Sequence, residues 1–119
     1  MSNNSINILE KMLDVAAFRH RILASNIANA DTPGYKARDI SFQGELDQAI
    51  ASSGPGSVRG EHDFKVFEVI TTMPNRDGNT VNLNIEMAKL AENTLIYNTA
   101  TSLLAKNIRI ARDVVRGIR

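Results

Sequence analysis

A chain of 119 residues with a net charge of +1 has room for one ordinary domain and no bulk charge to draw it to nucleic acid or an acidic polymer. Hydrophobic residues make up 43%, enough for some core, but aromatics are only 5% and tryptophan is absent, which favours an elongated or helical body over a compact enzyme. The lack of cysteine excludes disulfides and thiolate metal sites.

The chain opens with Met-Ser-Asn-Asn-Ser, which lacks the basic region, apolar core and cleavage site of a secretory signal peptide. No uninterrupted apolar run approaches the roughly 20 residues needed to span a membrane. The reading is cytoplasmic unless export uses a route without a cleaved signal. Ile6, Leu9, Leu13, Ala16, His20, Leu23, Ile27 and Ala30 then follow at alternating intervals of three and four, a heptad stripe with one polar member. The spacing predicts a helix over 5–30, capped by Ser5 or a neighbouring Asn and ended by Pro33, about 39 Å long. His20, inside the stripe, reads as a satisfied core or interface histidine.

Ala24-Ser-Asn-Ile-Ala-Asn-Ala-Asp-Thr-Pro-Gly-Tyr-Lys36 is where this pattern stops and gives way to a turn and an extended segment. Pro33 cannot donate a backbone hydrogen bond and biases Thr32 away from helical dihedrals, while Gly34 permits a left-handed backbone. Ala37 to Phe42 reads as extended, and Phe42, Leu46, Ala49 and Ile50 fit a short amphipathic helix. Ser52-Ser-Gly-Pro-Gly-Ser57 is a flexible turn or linker, and Phe64 to Thr72 has the β-branched and aromatic content of a strand. Asn75-Arg-Asp-Gly-Asn79 is a turn signal, and Val81, Leu83 and Ile85 alternate briefly.

A second stripe, Met87, Leu90, Thr94, Tyr97, Thr101, Leu104, Ile108, Ala111, Val115 and Ile118, runs almost to the C-terminus, with Asn84 as the expected cap and Glu86 in the first turn. Leu95, Ile96, Leu103, Ile110 and Val114 widen its apolar face, so a single hairpin would leave part of it wet. Arg109, Arg112, Arg116 and Arg119 form a basic stripe beside the seam. It serves either as a solvated face complementing the helix dipole or as a dock for an acidic neighbour or an anionic membrane. The expected fold is mainly α. Residues 1–30 and 84–119 form a terminal coiled-coil domain, and 31–83 a short irregular and β-containing connector with a flexible loop near 51–62.

Catalytic chemistry finds no residues to carry it. Glu61-His62-Asp63 is a polar loop with too few ligands for a structural zinc site, and Ser25 lacks a Gly-x-Ser-x-Gly setting. Gly54-Pro-Gly56 lacks the Gly-Lys-Ser/Thr ending of a phosphate loop. No cofactor or metal is expected, and the architecture points to assembly. The alternative is a coiled-coil adaptor or small secretion chaperone that binds a partner helix.

The segment Ala24–Lys36 closely resembles the N-terminal signature of the axial proteins of the bacterial flagellum, the rod and hook family. Tyr35-Lys-Ala-Arg-Asp39 leading into Phe42, Asp77-Gly-Asn-Thr-Val81 before Glu86-Met87, and Ala91-Glu-Asn-Thr-Leu-Ile-Tyr97 place the likeness among the proximal basal-body rod proteins. It covers most of the chain and is weakest over 51–62. The resemblance implies a structural, non-enzymatic subunit whose terminal helices pair and whose copies stack into the wall of a tube that crosses the periplasm and transmits torque. It implies type III export, and as neighbours a FlgC-like rod subunit, FliE, the MS ring and the export apparatus. It makes Ser25, Asn26, Asn29, Thr32, Pro33, Gly34, Tyr35 and Lys36 the signature turn. The assembly interface is expected at Ile6, Leu9, Leu13, Leu23, Ile27, Leu90, Tyr97, Leu104, Ile108, Val115 and Ile118.

Overall fold

A computed structural model of the protein describes residues 3–52, 64–70 and 72–117. Two long helices dominate it: α1 over Asn3–Ala28 and α3 over Leu83–Gly117. Between them lie β1 (Arg38–Ile40), α2 (Phe42–Ala51) and β2 (Val66–Glu68). The molecule is elongated, with extents of 69 × 28 × 18 Å. The expected mainly helical architecture, long terminal helices joined by a short connector with a small sheet, is the one observed.

The helices form an antiparallel hairpin. Asn26 of α1 meets Glu86 near the start of α3, and Ala16, farther back on α1, meets Asn93 farther along α3. Continued at that register, Asn3 lies level with about residue 107, so the last turns of α3 extend past α1. Every residue over 108–117 is exposed.

The buried face of α1 carries Leu9, Val15, Ala16, Arg19, Leu23 and Asn26. It shares Leu9, Ala16 and Leu23 with the apolar stripe but drifts from it: His20 is exposed, while Arg19 and Asn26 turn inward. On α3 the buried positions are Glu86, Asn93 and Ala100, one residue before the expected Met87, Thr94 and Thr101, all of which are exposed. The buried positions of α3 keep the seven-residue interval but sit one residue earlier, because the face that packs inward is partly polar and apolar spacing alone misplaces it.

Local signals place the remaining ends. α1 stops at Ala28, short of both the expected 30 and Pro33. Its last amides turn into tighter i→i+3 bonds, Ala30 N to Ile27 O at 3.2 Å and Thr32 N to Asn29 O at 3.1 Å. Asn82, not Asn84, caps α3, accepting from Ile85 N at its Oδ1 (3.3 Å). Ser41 caps α2 through a 3.2 Å bond from Gly44 N. Val81, Leu83 and Ile85 form no strand: Val81 is buried in the loop and Leu83 opens α3. The expected strand over 64–72 contracts to β2, which pairs antiparallel with β1, Arg38 opposite Glu68 and Ile40 opposite Val66. Phe64 stacks on Phe18 of α1 with ring centroids 4.3 Å apart, and Lys11 Nζ donates to Ala49 O at 2.8 Å, which ties α2 to α1. Most of the loop near 51–62, the Glu61-His62-Asp63 segment, the start of the chain, Ile118 and Arg119 lie outside the described residues.

One ion cluster ties α1, β1 and α3 together. Arg19 donates to both carboxylate oxygens of buried Asp39, from Nε at 3.0 Å and Nη2 at 3.2 Å. Lys89 Nζ lies 3.6 Å from the same carboxylate, and Glu92 3.8 Å from Arg19. Burial by itself would raise the Asp39 carboxyl, but the Arg19 hydrogen bond, the Ile40 amide at 2.7 Å and the nearby cations outweigh it and hold the group below its ordinary value. A depressed carboxyl contributes stability that is complete above its unfolded value and lost as pH falls through the folded one. Acid denaturation should therefore show a loss of stability below about pH 3.8 that Asp39→Asn abolishes, while lowering stability at neutral pH. Urea titrations across pH 2–7 measure both.

Candidate functional site

The residues after α1 fold into a joint held almost wholly by hydrogen bonds. Gly34, at φ 75°, turns the chain back so that its amide donates to Asp77 O at 2.8 Å. The facing loop makes its own turn, Gly78 at φ 82° and Asn75 N to Asn79 O at 2.8 Å. Thr80 N then donates to Tyr35 O at 3.0 Å, and Ala37 N to Thr80 Oγ1 at 2.8 Å. Lys36 Nζ reaches Gly78 O at 2.6 Å.

Asn79 locks the two loops. Its Nδ2 donates to the carbonyls of Asn29 (2.8 Å), Ala30 (3.0 Å) and Thr32 (2.8 Å), which lie just past the end of α1. Its Oδ1 accepts from Val81 N at 2.7 Å, so one buried carboxamide caps the exit of α1 and orders the approach to α3. Within the signature, Asn29 Nδ2 donates to Ser25 O at 2.8 Å, and Thr32 Oγ1 donates to Asn29 Oδ1 at 3.0 Å.

Asn26 is the second lock. Its Nδ2 donates to Arg38 O at 2.7 Å and Glu86 Oε2 at 2.9 Å, and its Oδ1 accepts from Arg38 N at 3.0 Å and Tyr35 Oη at 3.3 Å. With its hydroxyl hydrogen on Asn26, Tyr35 accepts from Ser25 Oγ at 3.1 Å. Seven of the eight signature residues thus bond within the chain, Pro33 being exposed at the tip of the turn. Apolar periodicity did not mark Arg19, Asp39, Asn79, Glu86 or Asn93, the buried polar groups that complete the arrangement. The turn signal at 75–79 located Asn79 without showing what it holds.

The expected interface residues fall into two groups. Leu9 and Leu23 are buried within the chain, and Ile6, Leu13, Ile27, Leu90 and Leu104 are half-buried. Tyr97, Ile108 and Val115 are exposed, at 42%, 54% and 68%, beside exposed Leu95, Leu103, Ile110 and Val114. Lone apolar residues on a surface are ordinary, but two stripes along one helix, Leu95, Leu103, Ile110 and Val114 on one side and Tyr97, Ile108 and Val115 on another, mark apolar surface with no partner in this chain.

Removing the Asn79 clamp should cost about 2 kcal/mol, because a buried carboxamide that bridges three carbonyls and the Val81 amide is lost at once. Gly34→Ala should cost only ~1 kcal/mol, since a Cβ there meets no atom within 4 Å and the left-handed backbone alone opposes it. Chemical denaturation of Asn79→Ala and Gly34→Ala beside the parent tests the ranking.

A sequence model of the family described as "Flagella basal body rod protein" matches residues 16–36, the second half of α1 and the turn after it. The chain is 40% identical to the flagellar basal body rod protein FlgB of Cereibacter sphaeroides, over 83% of this chain and 84% of that protein. It is 32% identical to FlgB of Yersinia enterocolitica, over 96% and 95%, and 30% identical to FlgB of Salmonella typhimurium, over 95% and 94%. With the family match falling on the joint and the likeness running nearly end to end, the chain belongs to the FlgB family of flagellar basal body rod proteins.

Proposed function

We propose that the chain works as a structural subunit of the flagellar basal-body rod, its copies packing into the helical wall of a tube that crosses the periplasm and carries motor torque. The role is mechanical. The single observation that carries this reading is the uncovered aliphatic surface of α3, Leu95 and Leu103 on one side and Ile108 and Val115 on another. Burying each such side chain against a neighbouring subunit would stabilise by roughly 1.5–3 kcal/mol, and a regular assembly repeats each contact. Membership of the rod family favours this over the adaptor or chaperone alternative.

On this reading residues 1–30 and 84–119 supply the helical wall, and the connector 31–83 is presented outward from it. Ile6, Leu9, Leu13, Leu23, Ile27, Leu90, Tyr97, Leu104, Ile108, Val115 and Ile118 form the assembly seam, the more buried of them holding the hairpin and the exposed ones facing neighbours. The subunit sits in the proximal rod beside a FlgC-like subunit, FliE and the MS ring, and reaches the periplasm through the flagellar type III apparatus. The joint transmits load between wall and connector, because Gly34, Asn79 and Asn26 leave their angle little freedom.

Ile108→Asp tests the seam without disturbing the hairpin, since position 108 lies beyond the α1 pairing and is already half open to water. The variant should melt like the parent and still be exported, yet be missing from purified basal bodies and abolish swimming in a strain that depends on this gene. Normal motility would sink the proposed role of the exposed face.

A further inference from the structure

We propose that Asn93 is the register key of the helical hairpin: it fixes which turn of α3 faces which turn of α1 and lowers stability in doing so. Asn93 is 1% exposed, midway along the inner face of α3 between Glu86 and Ala100. Its Nδ2 donates to Ala16 O at 2.8 Å. Its Oδ1 is buried and accepts no hydrogen bond from the protein, the one such side-chain atom among the described residues. An isosteric leucine would carry no unsatisfied group there, so packing alone would favour it.

Specificity gives the carboxamide a use. The inner face of α1 presents Leu9, Ala16 and Leu23 at heptad spacing, with the small residue in the middle. Only opposite Ala16 can the Asn93 side chain reach a backbone carbonyl, whose second lone pair is free to accept. Sliding the helices one heptad either way brings Leu23 or Leu9 level with Asn93, and a leucine side chain would cover the carbonyl. The helices have the length for such a slip toward the free end of α3, which has 35 residues to the 26 of α1, a surplus longer than a heptad. A single buried polar residue that selects one register at the expense of stability is an established device in paired helices. The joint locks the same register from the end of the hairpin, through Asn79 and Asn26, and Asn93 locks it from the middle. The inference rests on the hairpin alone and stands whether or not the tube reading holds.

The cysteine-free chain suits disulfide trapping. Leu13→Cys with Ile96→Cys reports the native register, each lying three residues from the Ala16–Asn93 pair, and Leu13→Cys with Leu103→Cys reports the register one heptad on. In the parent and in Asn79→Ala only the native pair should close. In Asn79→Ala/Asn93→Leu the yield of the slipped pair should rise about tenfold, the scale on which one unsatisfied buried polar group biases a population. Asn93→Leu alone should raise the Tm by roughly 4 °C. A Tm that does not rise overturns the proposal, and so does a double variant still trapped only in the native register once Asn26→Ala has also released the Glu86 end. If the double variant lacks helicity, the slipped trap in Asn93→Leu decides: a yield above the parent's supports the key, and an unchanged yield refutes it.

Discussion

One carboxamide, that of Asn26, joins the first long helix, the connector strand and the second long helix. Asn26 uses both its donors and both its acceptor sites: it grips both backbone groups of Arg38, holds the Glu86 carboxylate and takes the Tyr35 hydroxyl hydrogen. A buried amide so fully satisfied is expensive to disturb, because any shift of α1, β1 or α3 leaves at least one polar group unpaired away from water. One side chain therefore fixes where the strand lies against α1 and ties that arrangement to α3. Seven residues earlier on the same face of α1, Arg19 repeats the arrangement in ionic form, holding Asp39 of the strand while Lys89 approaches from α3. The connector is fastened into the hairpin at two levels.

This inverts the usual division of labour between polar and apolar side chains. The hairpin buries Arg19, Asn26, Asp39, Asn79, Glu86 and Asn93, while many aliphatic residues of α3 stay in contact with water. Two helices can cover only one side of each other, and α3 is both wider in its apolar face and longer than α1. The polar groups inside have directional partners and so define a geometry; the apolar groups outside are undirected and can contribute wherever a neighbouring surface is offered. Under the function proposed above, rigid angles within a subunit and apolar surface between subunits are what a load-bearing assembly needs.

Much of the fold was legible in the sequence because it rests on local rules. Both long helices, the short helix beginning at Phe42 and the extended segment before it follow from spacing and propensity, and Gly34 and Gly78 announce turns that only a residue without a Cβ takes easily. The site was half legible. Residues from Ser25 to Lys36 stood out through turn chemistry and family likeness, yet their partners lie at 75–81 and 86, some 50 residues away in sequence. Hydrogen bonds of that separation leave no periodic trace, and hydrophobic periodicity passes over polar residues on a buried face. That is why apolar spacing picks out His20 over Arg19 and places the α3 seam one residue late.

The sequence by itself determined that this is a mainly helical chain with two long amphipathic helices, a turn-rich connector between them and a rod-family signature where the first helix ends. Those properties depend on neighbours within one or two turns of chain. Only the tertiary structure decided which face of each helix packs inward, which asparagine caps which end, and that the signature is bonded inside the subunit. Each of those outcomes is a matter of polar groups finding partners across the fold, where the low dielectric makes a missing partner costly and a correct one specific.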